Sequence, residues 1–200
     1  MNKYLDDSVR VKISKLQPWA ILAFMASCCE RMIPNYREFN RQTRFGDVDV
    51  LRNALDAVWR SVAGDADVAG LQGLALSCEA QAPEPSNYDS TYSSAALDAA
   101  TAISMTAAAA TAIPDSHVAL GVAELGRDTV DIYIQLSEEV DPNAEGFEFS
   151  ILSNPLMQAE LGRQYRALDC LSEVDNDGVM RSEIVRNWAG VEVASLPVRL

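Results

Sequence analysis

Apolar residues recur along this 200-residue chain at the three- and four-residue spacing of an α-helix. The clearest case lies between Asp47, a residue type suited to the N-cap of a helix, and Gly64, where a helix can end. Its apolar positions are Val50, Leu51, Leu55, Val58, Trp59 and Val62. A shorter stripe at the start of the chain comprises Leu5, Val9, Ile13 and Leu16. Both patterns predict amphipathic helices that bury one face.

Residues 19–32 are apolar on almost every helical face, which predicts a central helix that is buried on all sides. Pro18 suits the first turn of this helix, because the N–H that proline lacks would have no partner there. Pro34 removes a backbone donor from the continuing pattern, so we expect a kink or a break that interrupts the helix. A more polar segment follows and ends near Gly46.

Further helical patterns follow through the rest of the chain. They cover residues 68–82, an alanine-rich stretch at 88–113, residues 118–136, residues 154–171 and a last short helix ending near Trp188. Loops are predicted at residues 83–87 and 142–153. The sum predicts an all-α fold, a single-domain bundle of seven or eight helices over residues 1–200. Residues 130, 132, 134 and 136 also alternate with a period of two, so a short strand is the alternative there.

Composition indicates a globular protein that stays inside the cell. Hydrophobic residues make up 48% of the chain, which is enough for one sizeable core. The first residues lack the pattern of a secretory signal, and the longest apolar run falls well short of a membrane span. Four cysteines in such a chain predict reduced thiols and a cytoplasmic location. The adjacent Cys28 and Cys29 are expected in the core.

The net charge of −13 is unevenly distributed. Residues 1–60 contain ten Lys and Arg against seven Asp and Glu, whereas residues 61–200 contain six against 22. An acidic protein repels the phosphate backbone, so direct nucleic-acid binding is disfavoured. No membrane association is expected either, because neither of the two most apolar stretches is suited to enter a bilayer. We favour an internal role for the asymmetry, in which N-terminal arginines pack against acidic faces from later in the chain. An external protein partner is the alternative.

The chain lacks the familiar motifs for nucleotides and metals. Its glycines do not form a phosphate-binding loop, and its single histidine, His117, excludes motifs that need two. His117 follows Asp115 at a predicted helix start, where a polar residue is ordinary. Residues 173–178 resemble the first half of an EF-hand loop, but its twelfth position is Ile184 and Glu183 is one residue early. We therefore predict an acidic turn, no metal site and no cofactor.

The most unusual segment, residues 29–47, combines arginines and aromatic residues at the end of the buried helix. Glu30 and Arg31 would be costly there unless each is paired, and Asp98 is the counter-ion that we expect for Arg31. We favour a structural ion-pair network. The alternative is a polar pocket that binds an anionic small molecule or the acidic tail of a partner. Its candidate ligand-binding residues are Glu30, Arg31, Asn35, Tyr36, Asp47 and Asp98.

This segment and its surroundings are similar to a known family. The residues concerned are Trp19, Phe24-Met25-Ala26, Cys29-Glu30-Arg31-Met32, Pro34-Asn35-Tyr36, Phe39, Gln42-Thr43, Phe45-Gly46-Asp47 and Trp59. Together they resemble the YjaG family of uncharacterised proteobacterial proteins, and a weaker likeness extends along the whole chain. The resemblance implies an all-helical fold, a cytoplasmic location and a bacterial origin. The family has no established activity, cofactor or catalytic residue, so the resemblance carries no function over.

Two functions from different classes stay open. We favour a non-enzymatic domain that binds a protein partner or self-associates as a homo-oligomer, because the chain offers helices and charge without a catalytic constellation. The alternative is a small-molecule binder or enzyme that works from Glu30, Arg31, Tyr36 and Asp47. A concave pocket at these residues would favour the second function, and a segment sealed by packing would favour the first.

Overall fold

A computed structural model describes residues 7–65, 68–139, 141–174, 178–191 and 194–197. Within these residues the chain forms nine α-helices, one 3-10 helix and no strand. In chain order they are α1 (Asp7–Ser14), α2 (Pro18–Thr43), α3 (Val48–Ala63), α4 (Val68–Glu79), the 3-10 helix (Pro85–Asn87), α5 (Ser93–Ala109), α6 (Ser116–Ser137), α7 (Phe147–Ser153), α8 (Pro155–Glu173) and α9 (Gly178–Trp188). The predicted all-α fold is confirmed, with one helix more than expected.

The central helix α2 is buried along most of its length. All residues at positions 19–36 are buried, and the helix packs against α3, α5, α6, α8 and α9. Because it has neighbours on all sides, this part of α2 has no face left for the polar residues of a surface helix. The prediction of a buried central helix is confirmed.

Pro34 does not end this helix. α2 continues to Thr43, where Arg44 adopts a left-handed conformation (φ 64°) and its N–H donates to the carbonyl of Asn40 (2.8 Å). A proline inside a helix costs roughly 3 kcal/mol. Ile33 and Asn35 on either side are completely buried, so tertiary packing outweighs the lost backbone bond. Of the two outcomes expected at Pro34, the break is therefore wrong.

α3 begins and ends at the residues that the sequence predicted. Asp47 caps its first turn, because the carboxylate oxygen Oδ1 accepts the N–H of Asp49 (2.9 Å). Gly64 ends it with a left-handed backbone (φ 94°) that a side chain would strain. The apolar stripe of this helix, including Leu51 and Trp59, is buried in the core.

The alanine-rich helix α5 packs against α2, α3, α4 and α6. It is shorter than the predicted range of 88–113, because residues 88–92 lie in an irregular segment and a turn before Ser93, and the helix ends at Ala109. Its small side chains, such as Ala96 and Ala99, are completely buried and let neighbouring backbones approach closely. The expectation of a tightly packed interior helix is confirmed.

The alternative of a strand at residues 130–136 is wrong, because these residues belong to α6. Val130 and Ile134 are buried, whereas Leu136 is exposed. Burial therefore follows the four-residue spacing of a helix instead of the two-residue spacing of a strand. His117 lies in the first turn of α6, as predicted, and its backbone N–H donates to the capping carboxylate of Asp115 (2.8 Å).

The predicted connection at residues 142–153 contains α7, a helix that the sequence pattern missed. Phe147 and Ile151 anchor it in the core. Two turns are too short for a periodic pattern to emerge, so a seven-residue helix is hard to predict. None of the described helices combines the length and the apolar composition that a membrane-spanning segment needs.

Two predicted features lie partly outside the residues that the structure describes. Val9, Ile13 and Leu16 of the first stripe are buried, whereas Leu5 lies outside the described residues. The predicted acidic turn also lies partly outside them, at residues 175–177.

Candidate functional site

Glu30 is the centre of a hydrogen-bond cluster that joins α2, α3 and the end of α9. Its carboxylate accepts Nη1 (2.7 Å) and Nη2 (2.9 Å) of Arg52 and the Nε1–H of Trp59 (2.6 Å). The N–H of Gly190 donates to Glu30 Oε1 as well (2.9 Å), which fixes the chain just after α9. Glu30 is almost completely buried, so the protein itself neutralises its charge.

Arg31 is paired with Glu160 of α8. Arg31 Nε donates to Oε2 (3.0 Å) and Nη2 donates to Oε1 (2.8 Å), while Nη1 donates to the carbonyl of Ser27 (2.6 Å). Burial would raise the pKa of Glu160, but the guanidinium of Arg31 holds that pKa below its ordinary value. The expectation that Glu30 and Arg31 each have a partner is confirmed.

Asp98 is not the counter-ion of Arg31, so that prediction is wrong. Its Oδ2 accepts the hydroxyl hydrogen of Thr129 on α6 (2.8 Å). Burial raises the pKa of Asp98 to about 7, the Thr129 hydrogen bond opposes this rise, and nearby Asp128 adds to it. The pairing failed because a periodic pattern does not say which helix lies against which side of α2. Arg31 meets α8, whereas Asp98 meets α6.

Tyr36 and Asp47 lie together at a second place, joined by Gln81. The Tyr36 hydroxyl donates to the Gln81 carbonyl (2.8 Å), and Gln81 Oε1 accepts the N–H of Asp47 (2.9 Å). Burial, and then the carboxylate of Asp47, raise the pKa of Tyr36 above its ordinary value. A Cβ at Gly46, whose φ is +74°, would lie 2.0 Å from the Tyr36 hydroxyl oxygen. Only glycine fits this close approach.

Asn35 holds the C-terminal segment against α2. Its Nδ2 donates to Ser195 Oγ (2.7 Å), and the N–H of Ser195 donates to the carbonyl of Arg31 (3.1 Å). Both side chains are buried. The six predicted residues therefore do not form one pocket. Two of them, Glu30 and Arg31, line a cavity, and the other four are absent from its lining.

The cavity lies between α2, α8 and the end of α9 and has a volume of about 400 Å³. Its size is within the range of small-molecule sites, roughly 300–1,000 Å³. The lining residues are Ser27, Glu30 and Arg31 from α2, Arg163, Arg166, Ala167 and Cys170 from α8, and Asn187, Trp188 and Val191 from α9 and the residues after it. The segment at residues 29–47 is therefore neither fully sealed nor fully open. Its ion-paired residues Glu30 and Arg31 form one wall of an open cavity.

Two arginines give this cavity a positive charge that its carboxylates do not match. Arg163 Nη1 lies 3.9 Å from Glu160 Oε2, but that oxygen already accepts from Arg31. Arg166 is exposed and makes no ion pair with any residue that the structure describes. A Cβ at Gly162 would lie 3.1 Å from Arg166 Nη1, so the missing side chain leaves room for the guanidinium along α8.

The remaining lining is largely apolar. Ala167 is buried, Trp188 is half-buried, and Val191 is exposed at the rim. Cys170 also lies at the rim and is the exposed member of the four cysteines, all of which are described and free; Cys28 and Cys29 are in the core as predicted. The cavity thus combines cations with an apolar surface, a combination that suits a ligand with an anionic group and an apolar body.

Sequence reasoning missed the α8 side of this cavity, although a signal was present. Arg163, Arg166, Ala167 and Cys170 follow the spacing i, i+3, i+4, i+7, which places them on one face of a helix. Two arginines on one face stand out in residues 61–200, where six cations oppose 22 acids. The internal role expected for the N-terminal arginines is seen in the pair Arg31–Glu160, and Lys12 makes a similar contact with Asp169.

Comparison with known proteins relates the chain to a family. The family model described as "Protein of unknown function (DUF416)" matches residues 8–189. This chain belongs to the DUF416 family. The DUF416 match covers most of the chain, including every helix that lines the cavity.

Relatives of this DUF416 chain confirm the resemblance to the YjaG family. The "Uncharacterized protein YjaG" of Escherichia coli (strain K12) is 25% identical over 171 residues, 86% of this chain and 85% of that protein. The protein of the same name from Salmonella typhimurium is 32% identical over 100 residues, 50% of this chain. The match spans about half of the Salmonella protein, 51% of its length.

A solved structure supports the fold. The crystal structure of a DUF416 family protein from Shewanella baltica OS155 matches with a TM-score of 0.82 at 22% sequence identity. The match covers 96% of this chain and 98% of that one. At this identity the likeness shows that the two chains share the helical fold, and it says nothing about a ligand.

Proposed function

We propose that this chain is a binding protein whose cavity between α2, α8 and α9 takes a small anionic molecule with an apolar body. The observation that carries the proposal is the ion pairing of Arg163 and Arg166, two arginines that line the cavity. Arg163 reaches only Glu160, at 3.9 Å, which Arg31 already binds, and Arg166 forms no ion pair with a described residue. A guanidinium binds carboxylate and phosphate groups through paired hydrogen bonds. Trp188 and Ala167 would cover the apolar part of such a ligand.

The carboxylates at the cavity support binding over catalysis. Both oxygens of Glu30 accept hydrogen bonds from Arg52, and Oε1 also accepts from Trp59. Both oxygens of Glu160 accept from Arg31. A general base needs an oxygen that reaches the substrate with its basicity intact, and every oxygen of these two carboxylates already accepts at least one hydrogen bond from an arginine of the protein. They are better suited to hold the cavity walls in place.

The test is calorimetric titration with three probes that share one ring and differ in charge: benzoate, benzamide and benzamidine. Benzoate should bind, and the neutral and cationic probes should bind at least about tenfold more weakly, because they lose the charge-assisted bond. Arg166→Gln should weaken benzoate binding about tenfold. Arg186→Gln is the matched control, since Arg186 is an exposed arginine of α9 outside the lining.

Cys170 reports on the same cavity independently. Iodoacetamide should modify this exposed thiol before the buried ones, and benzoate should slow that reaction while benzamidine does not. The proposal is wrong if the three probes bind alike or if Arg186→Gln weakens benzoate as much as Arg166→Gln does.

We also infer a cytoplasmic location in a bacterium. The support is that Cys28, Cys29 and Cys78 are buried free thiols and that the named relatives come from bacteria. Cell fractionation with an antibody against the chain tests this inference, and recovery in the periplasm would contradict it.

A further inference from the structure

A second concave surface, which we name the α6–α7 groove, shares no lining residue with the cavity. It lies between the end of α6 and α7 and has a volume of about 750 Å³. Its lining is mixed: Pro142, Ala144, Phe147, Phe149 and Leu152 supply the apolar part, and Gln135 and Glu148 supply polar side chains. Phe147 is buried and anchors α7, whereas Phe149 has 75% of its surface exposed. A single exposed ring is ordinary, but this ring extends the apolar lining of a groove, and continuous apolar surface suits contact with another molecule.

Negative charge lies in the groove and in the chain next to its lining residues. Glu138, Glu139, Asp141, Glu145 and Glu148 are all exposed, and none of them forms an ion pair with a described residue. Glu148 lines the groove, and the other four acids fall between the lining residues Gln135 and Glu148 in the sequence. Glu138 accepts a hydrogen bond from the amide of Asn154 (2.8 Å), which leaves its charge in place. Residues 135–152 contain no Lys, Arg or His, so the neighbouring chain does not neutralise these carboxylates.

We infer that the α6–α7 groove is a docking site for a basic, amphipathic segment of a partner protein. Cations of the segment would meet the five carboxylates, and an apolar side chain would pack beside Phe149. Opposite charges at the rim accelerate and orient association, while the apolar centre supplies most of the affinity. This inference stands apart from the proposed ligand cavity and does not depend on it.

Charge decides between this occupant and the others. A second copy of the chain carries a net charge of −13, and two copies of the groove would place like charges face to face. Nucleic acids and anionic lipid surfaces are repelled for the same reason. A basic polypeptide with apolar side chains is the class of molecule whose charge and surface both match.

Fluorescence anisotropy with synthetic peptides tests the inference on the full chain. The probe is a fluorescein-labelled peptide of about 18 residues, five helical turns, with leucine on one helical face and lysine elsewhere. Two control peptides replace lysine by glutamate or leucine by glutamine. At about 150 mM salt the first peptide should bind, and both controls should bind at least about tenfold more weakly.

Paired variants locate the binding. Phe149→Ala should weaken binding of the leucine–lysine peptide about tenfold, because it removes an exposed aromatic ring from the groove lining. Leu76→Ala is its control, since Leu76 is 60% exposed on α4. The double variant Glu145→Gln, Glu148→Gln should weaken binding of the same peptide and reduce the salt dependence of that binding. Asp65→Asn with Glu79→Gln, two exposed acids away from the groove, should do neither.

Three results would overturn the inference. Equal losses in Phe149→Ala and Leu76→Ala would show that no particular apolar surface is recognised. Equal losses in the two acid pairs would show that the peptide responds to net charge alone. Sedimentation of the chain as a dimer that Phe149→Ala dissociates would show that the groove is occupied by a second copy. Circular dichroism of each variant checks that its helices are retained.

Discussion

Arg31 and Glu160 lie 129 positions apart in the sequence, yet their buried side chains form an ion pair. Two hydrogen bonds join them, from Arg31 Nε to Glu160 Oε2 (3.0 Å) and from Nη2 to Oε1 (2.8 Å). The pair joins the central helix α2 to α8 beside the cavity. Gln164 donates a third hydrogen bond to the same carboxylate (2.9 Å). A buried charge is tolerated when a partner and hydrogen bonds replace its hydration, and this arrangement supplies both.

Removing one member of this pair should destabilise the fold strongly. Glu160→Gln leaves the Arg31 guanidinium buried without a counter-ion, and the free energy of unfolding should fall by about 3–5 kcal/mol. The double variant Arg31→Met, Glu160→Leu removes both charges and should recover much of this loss. Urea unfolding followed by circular dichroism measures each value.

Lys12 and Asp169 provide the matched surface pair, because they join α1 to α8 with both side chains more than a third exposed. Asp169→Asn should cost less than about 1 kcal/mol, since water screens the charges. If Glu160→Gln costs no more than Asp169→Asn, the buried pair does not have the structural role described above.

The stability of the protein should depend on the protonation of Asp98. Its pKa is about 7 in the folded state against 3.8 for an ordinary aspartate, because burial disfavours the charged form. The folded state therefore binds this proton more tightly than the unfolded chain does. The stability linked to the proton is fully present below pH 3.8 and is lost as the pH rises through 7.

Asp98→Asn removes this dependence while keeping an oxygen that can accept from Thr129. The unfolding free energy of the variant, minus that of the unsubstituted protein, should rise by roughly 2 kcal/mol from pH 5 to pH 8. Urea titrations at the two pH values measure the difference. An equal difference at both would show that Asp98 is ionised throughout.

Replacing either of two helical glycines by alanine should change the free energy of unfolding, and the two changes should have opposite signs. A Cβ at Gly126 would lie 3.3 Å from Glu160 Oε1, an atom that Arg31 and Gln164 hold in place. A Cβ at Gly73 would meet nothing within 4 Å. Gly73→Ala should therefore raise the free energy of unfolding by about 0.5–1 kcal/mol through helix propensity. Gly126→Ala should lower it by about 1–2 kcal/mol through overpacking. Thermal unfolding of the two variants compares them, and a gain in both would mean that Glu160 moves freely.

The end of α9 should loosen when Glu30 is changed. Glu30→Gln removes the charge that accepts the N–H of Gly190, so amide hydrogen exchange at Gly190 should accelerate about tenfold or more. Trp59→Phe removes a different donor to the same carboxylate and should leave this amide protected. Exchange followed by NMR distinguishes the two variants, and unchanged protection in Glu30→Gln would contradict the anchoring role.

Local chemistry made several helices predictable from the sequence. Asp47 and Gly64 fix the ends of α3 through contacts within a few residues of each other. Asn154 caps α8 in the same way, by accepting the N–H of Leu156 (3.0 Å). The continuous apolar pattern of α2 required burial on all sides, whatever its neighbours were. These features depend on residues close together in the chain, which a linear pattern contains.

Only the tertiary structure decided what depends on distant residues. It carried α2 through Pro34, paired Arg31 with Glu160 instead of Asp98, and placed Tyr36 and Asp47 away from Glu30. It also formed the cavity from α2, α8 and the end of α9. The spacing of residues fixes which face of a helix is buried, but the order of helices around α2 follows from how all their surfaces fit together. The partner of a buried charge is therefore determined by packing.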